Sequence, residues 1–277
     1  MLYKTIIPNS EDLRGESPVE ILKVSSKGLD KTASMQKRAA AFEKEIKELK
    51  PIEKKAYLHV ITTCASEIYN CNRNNDAYNE GPYDFHPPLA KDASLIVHVG
   101  EGLKKCHKTY LDGAHVYQEH RTDEEPSGIV KAAMYNEPMH RGELLIEVDA
   151  DKWAPRLQKR ASGQDIFLSI GCTVASDLSS CCGHRAHTLD EHCEHIKKQA
   201  GMVLEDGTKI CMINDNPKFY DISGVNVPAD TMAYVLRKVA SGSSAQSAIE
   251  SKYLVNATRG PMPFNKAAST LAKLSKI

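Results

Sequence analysis

The sequence predicts an α+β protein, and two kinds of pattern carry that prediction. Apolar runs of strand length recur through the middle of the chain, and stripes spaced by three and four residues flank and separate them. The first stripe spans Lys31 to Lys50, with Met35, Ala39, Phe42, Ile46 and Leu49 on one side, and Pro51 ends it. It reads as a docking helix. Tyr57–Thr62 follows as a strand. Asn70–Asp76 is a polar loop whose Asn and Asp residues supply turn geometry. Gly128–Tyr135 and Glu143–Asp149 read as strands, the second with Leu144, Ile146 and Val148 on one face and Leu145 breaking the alternation. Trp153, Leu157 and Ala161 place a helix over 151–161, and 165–174 is the next strand. Leu189–Ala200 reads as a helix with acidic residues in its first turn. Pro228–Ala240 reads as another, with proline at its start. Ser241–Ser247 has linker composition. The chain therefore divides into an N-terminal helical extension (1–54), a core (55–240) and a linker with a C-terminal tail (241–277).

Charge narrows the functional classes. The chain has 277 residues, 36 basic and 36 acidic, and a formal net charge of zero. A broad nucleic-acid or membrane surface needs clustered positive charge, which this balance argues against. Low aromatic content, 6%, weighs the same way against a nucleic-acid module. Met1–Thr5 has no apolar core of signal-peptide length, so a cytosolic setting is expected. Eight cysteines in such a setting point to metal binding where they cluster rather than to disulfides.

The residues that suggest a reaction are Ser169 and His120. Ser169 lies late in the strand Asp165–Cys172, with Gly171 two residues on. A serine hydroxyl needs a base to become a nucleophile, and histidine suits that task. His120 closes the run His115–His120, and His115 is the competing base. Glu143, Glu147 and Asp149 project from a strand between His120 and Ser169, and any of them could orient the imidazole.

The order of these segments resembles the tailed-phage prohead (capsid maturation) proteases, which are similar in fold to the herpesvirus assemblins. His115–His120, then Ser127-Gly128-Ile129-Val130, then Gly142–Val148, then Leu168-Ser169-Ile170-Gly171 follow that family's succession of a histidine, an "(I/S)-G-x-V" strand and a nucleophilic "S-(I/M)-G". Asn72-Arg73-Asn74-Asn75-Asp76-Ala77-Tyr78 resembles its "N-x-N-G-D-x-F" segment, with Asn75 where glycine is usual and Tyr78 where phenylalanine is. The match covers residues 55–240. It implies a mainly antiparallel, β-barrel-like core surrounded by helices. It implies Ser169 as nucleophile and His120 as general base. In the phage branch the third member is acidic and lies between histidine and serine, which makes Glu147 the first choice and Asp149 the second. His140 is the fallback, because assemblins use a second histidine, although theirs follows the serine. A backbone N–H near Gly171 is the candidate oxyanion donor.

Directly after the serine strand comes a Cys/His-rich stretch, 172–195. Zinc prefers four Cys and His ligands in tetrahedral geometry. Cys182-Gly183 resembles a zinc knuckle, and Cys193 and His195 add two ligands. Cys172 is taken as the fourth, with Cys181 as its alternative. Relatives in one branch of the phage family carry "C-x-x-C-G" here, whereas Ser179 replaces the first cysteine in this chain. The expected role is one structural zinc holding the loop after the serine strand, with no cofactor required for peptidase chemistry. No H-E-x-x-H motif is present to suggest catalytic zinc. His184, His187 and His192 are expected to be exposed. Asn214–Val225 also resembles the phage branch and reads as a turn and a strand, with Asp221 hydrogen-bonded locally.

The resemblance implies a serine endopeptidase that cleaves scaffold and major capsid proteins, and itself, inside an assembling prohead in the host cytoplasm. Segments 1–50 and 241–277 would then be docking or cleavage regions. No membrane or nucleic-acid partner is expected, and homo-oligomerisation is left open. The competing expectation is a catalytically inactive, zinc-stabilised capsid or scaffold protein.

Overall fold

A computed structural model describes residues 2–5, 33–50 and 52–241. The expected linker and tail beyond residue 241 lie outside the described residues, as do residues 6–32 of the N-terminal extension. The elements follow in chain order: β1 (Leu2–Thr5), α1 (Ala33–Glu48), β2 (Lys55–Cys64), α2 (Ser66–Tyr69), β3 (Asp76–Ala77), β4 (Tyr83–Phe85), β5 (Val97–Val99) and α3 (Leu103–Cys106). Then come β6 (His115–Gln118), β7 (Gly128–Asn136), β8 (Arg141–Asp149), α4 (Ala154–Ala161), β9 (Phe167–Val174), β10 (Ser176–Ser179) and β11 (Arg185–Ala186). The last are α5 (Glu194–Gln199), β12 (Met212–Asp215), β13 (Lys218–Val225) and β14 (Val235–Ser241).

The α+β class holds, as a curled, half-barrel sheet with few helices. Its eight strands run in the order β1-β9-β13-β6-β7-β8-β2-β14. The sheet is mixed but mainly antiparallel as expected, with β6 and β13 as its one parallel pair. Its curl brings Tyr234, just before β14, back to bridge Phe167 on β9. A smaller sheet, β11-β10-β12-β3, stands beside it. The expected ring of helices is absent from the described residues. Instead α1 covers part of one face, where Phe42, Ile46 and Leu49 pack against Tyr57 and Leu145. That contact explains why Leu145 breaks the alternation of β8: both faces of this strand are covered, and all of Gly142–Val148 is buried. Ala39, expected on the same helix stripe, is exposed.

The main core fills the inside of the curl. Leu58, Val60, Leu144, Ile146, Leu168, Ile170, Ile222 and Trp153 are among its members. Trp153 is fully buried and its indole N–H donates to Ser127 Oγ at 2.9 Å. Truncating a tryptophan so placed costs about 3–5 kcal/mol.

One expected helix is a strand. Over 228–240 a helix is expected with Pro228 at its start, yet β14 occupies 235–241 as a sheet edge beside β2. Asp230 explains the break. Its carboxylate accepts from Met232 N, Cys64 N and Thr63 Oγ, which fixes a turn where a helix would continue. The expected helix over 189–200 is a 3₁₀ turn, Leu189–Glu191, followed by the short α5. Asn75, standing where a glycine is usual in the resemblance, has φ of 62°. Glycine enters that left-handed region freely, and asparagine is among the few other residues that do. Tyr78 is buried, with its hydroxyl 3.5 Å from Cys172 Sγ.

Candidate functional site

Strand register assembles a polar group on the face of β9 and β13 that points away from the main core. Along β9, Leu168, Ile170 and Cys172 belong to the core, so Ser169 and Gly171 take the opposite face by alternation. Across the ladder Ser169 lies opposite Ser223, and Gly171 opposite Asp221. Ser169 is 4% exposed, and Asp221 and Ser223 are fully buried.

His120 joins this group from the turn after β6. His120 Nδ1 donates to Asp221 Oδ2 at 2.5 Å. Ser223 Oγ donates to the other carboxylate oxygen, Oδ1, at 2.8 Å. The imidazole is nearly buried, at 3% side-chain exposure. A carboxylate can only accept, so Asp221 fixes the proton on Nδ1 and leaves the Nε2 lone pair available as a base. Nε2 is buried and makes no hydrogen bond. The serine–histidine hydrogen bond expected from the sequence is therefore not made in this structure. Such bonds are often long in a resting enzyme and tighten when substrate binds.

The turn that delivers His120 is held against its own preference. Glu119 and His120 have φ of 50° and 55°, each costing about 1–2 kcal/mol for a residue with a side chain. Two contacts hold them. Glu119 N donates to Gly224 O at 2.9 Å, and Arg156 Nη2 pairs with Glu119 Oε1 at 2.6 Å. Gly224 is needed for the second, because a Cβ there would sit 3.0 Å from Arg156 Nε and 2.9 Å from Trp153.

None of the expected third members meets His120. Glu147 lies on β8, beyond β6 and β7 from β13, a separation of about 14 Å at ordinary strand spacing. It faces Lys131 Nζ at 3.9 Å; burial raises the Tyr57 hydroxyl, and the charge and hydrogen bond of Glu147 add to that. Asp149 Oδ1 accepts from the backbone N–H groups of Asp151 and Lys152. His140 Nδ1 pairs with Glu80 at 2.7 Å. The carboxylate that meets His120 is Asp221, which follows the serine in sequence. The competing base, His115, is exposed beside Tyr117.

Other histidines also meet carboxylates. His59 pairs with Glu143 at 2.7 Å, His192 with Asp177 at 2.9 Å and His98 with Asp84 at 2.7 Å. Among the described residues, only His120 combines a carboxylate on one nitrogen, an unbonded buried second nitrogen and a serine on the strand face of that carboxylate.

The second site is the Cys/His cluster. Cys181, Cys182 and His195 bring their ligand atoms within 4.8 Å of one another and could hold a metal ion. Cys193 Sγ lies 3.6 Å from Cys182 Sγ. Two thiolates on one tetrahedral zinc at bonds of about 2.3 Å stand about 3.8 Å apart, so this spacing suits shared ligation. His195 Nδ1 is buried without a hydrogen-bond partner, as a nitrogen built for a metal would be. Gly183 makes the tight turn, with φ of 71° and no room for a Cβ, which would meet Val97 at 2.5 Å. Cys172 does not belong to this set. It is fully buried in the main core beside Tyr78, and Cys181 replaces it. His184 and His187 are exposed as expected, but His192 is half-buried against Asp177.

Two signals were present for the missed residues. Asp221 and Ser223 are the polar positions of the buried stretch Asp221–Val225 of β13, on the face opposite Ile222. Cys172 shares its parity with Leu168 and Ile170, which is the parity of the core. Comparison of the chain with protein-family models, curated proteins and solved structures finds no match.

Proposed function

We propose that this chain is a serine endopeptidase with Ser169 as nucleophile, His120 as general base and Asp221 as the group that orients the imidazole. The observation that carries the reading is the buried His120–Asp221 hydrogen bond on the strand face that Ser169 shares. In the reaction, Ser169 Oγ attacks the peptide carbonyl while His120 Nε2 takes the hydroxyl proton. The C–N bond then breaks as Nε2 returns that proton to the leaving amine. Water repeats the sequence on the acyl-serine and releases the acid. Asp221 stays ionised and stabilises the imidazolium formed in both halves.

The resemblance to prohead proteases supplies the biological setting: scaffold and capsid proteins as substrates during phage assembly. Asn75 in a left-handed conformation and Tyr78 in the core suit the segment on which part of that resemblance rests. Cys181, Cys182, Cys193 and His195 would hold one zinc ion, whose chemistry there is structural. It would tie the loop after β10 to α5.

A serine-directed phosphonate tests the peptidase reading. Wild-type protein should be labelled at Ser169, and Ser169→Ala should abolish labelling. Absence of labelling, together with scaffold protein left uncut on co-expression, would return the chain to the alternative of a zinc-stabilised structural protein. The metal cluster is the observation that favours this alternative.

A further inference from the structure

The outer edge of β9 is occupied on both sides of Ser169. At the start of the strand, Leu168 N donates to Ala233 O and Val235 N donates to Ile166 O. At its end, β1 lies antiparallel to it, from Leu2 opposite Val174 to Thr5 opposite Gly171. Ser169 falls between these two pairings. Backbone groups alternate between the two edges of a strand. Because Ile166 and Leu168 face outward, Ile170 and Cys172 do so as well. The inner edge is taken by β13 from Phe167 to Thr173.

The geometry points to the outer edge of β9 as the lane on which a substrate peptide lies as an added β-strand, with the chain's own β1 as its built-in occupant. This inference rests on the peptidase reading and concerns how that site is filled. A strand running antiparallel to β9 from Val174 reaches the level of Ser169 two residues past Gly171. Main-chain hydrogen bonds give such an added strand its affinity, so the recognised partner is an extended, unfolded protein segment. A tethered strand competes at millimolar effective concentration. Cleavage of another chain therefore requires β1 to leave the edge, while a small acylating reagent needs only the serine.

The probe is a fluorescent peptide with the sequence of residues 1–10, MLYKTIIPNS. Lys4 pairs with Cys172, whose backbone faces β1, so Lys4→Pro in the full chain removes a donor from that ladder. The variant should bind the peptide at least about tenfold more tightly than wild type. Deletion of residues 1–5 should do the same by a second route. In the wild type, excess peptide should strip hydrogen-exchange protection from the Lys4 amide. Phosphonate labelling of Ser169 should stay within about twofold of wild type in every variant, because the small reagent bypasses the lane. Equal peptide binding by wild type and variants, or binding by none, overturns the inference while labelling leaves the peptidase reading intact. Increased peptide binding without any labelling keeps the lane as a strand-docking edge and removes the enzyme.

Discussion

Gly171 faces Asp221 across the β9–β13 ladder so closely that a Cβ on it would lie 3.1 Å from the carboxylate oxygen that receives the His120 proton. The glycine two residues after the serine therefore leaves room for the Asp221 side chain.

Gly171→Ala should move the carboxylate by a few tenths of an ångström. Its backbone lies outside the left-handed region, so folding should survive. The rate of Ser169 labelling should fall about tenfold, since small misplacements in a catalytic group are felt strongly. An unchanged labelling rate with an unchanged melting temperature would show that the Asp221 position does not matter to the serine.

Asp221→Asn tests the acid directly. Asparagine preserves the shape but offers no charge, and its amide can hold the imidazole in the wrong tautomer. Labelling and peptide cleavage should fall by roughly 10³–10⁴. Glu147→Gln, which leaves His120 untouched, should retain nearly full activity. Ser223→Ala removes one hydrogen bond to Asp221 and should give an intermediate loss, on the order of tenfold. The reverse ranking of Asp221 and Glu147 would exclude the arrangement proposed here.

Legibility of the site divided along sequence separation. Ser169 and His120 stand out in the sequence because each sits in a short local pattern and the patterns come in a recognisable order. Asp221 is 101 residues from His120 and meets it only through the pairing of β13 with β6 and β9. No local pattern encodes that register. The strands of the core were legible from periodicity, whereas β14 was not, because Asp230 turns the chain through contacts with Cys64 and Thr63 on a distant strand. Strand β1 has four residues and no alternation to reveal it. Its place is set by the exposed edge it covers.

The metal cluster makes a separable prediction. Purified protein should carry one zinc per chain, and Cys182→Ser or His195→Ala should release it. Cys172→Ser should keep it, because that thiol lies in the core with Tyr78. Metal analysis of the three variants decides between Cys181 and Cys172 as the fourth ligand. Chelation should lower the melting temperature of the wild type and leave that of Cys182→Ser unchanged.

Glu143 should make the fold acid-sensitive. Burial works to raise its carboxyl, but the hydrogen bond from His59 and the charge of Arg141 outweigh burial and hold it at about 2, against an ordinary 4.5. A depressed carboxyl contributes stability that is fully present above the unfolded value and lost as pH falls toward the folded one. The window is therefore pH 4.5 down to about 2. The contribution is on the order of 3 kcal/mol. Urea unfolding between pH 6 and pH 2 should show this slope, and Glu143→Gln should flatten it. A slope that persists unchanged in the variant would assign the acid sensitivity to other groups.

Cys71 should be the first thiol to react outside the metal cluster. Its hydrogen bond with Cys211 lowers it most; burial opposes that, and the Lys209 charge adds to the lowering, bringing it to about 7. The same hydrogen bond raises Cys211, so the two thiols are pushed apart and Cys71 carries the charge. Both line one open pocket with Lys209 and Ser180. Burial raises Cys106 to about 11 and pushes Cys64 higher still. Limiting iodoacetamide at pH 7 should therefore alkylate Cys71 at least about tenfold faster than either. Cys211→Ala should slow Cys71 by removing the hydrogen bond that lowers it, and Lys209→Ala should slow it through loss of charge. Equal labelling of Cys71, Cys64 and Cys106, read by peptide mass spectrometry on folded protein, would show that the pocket does not activate this thiol.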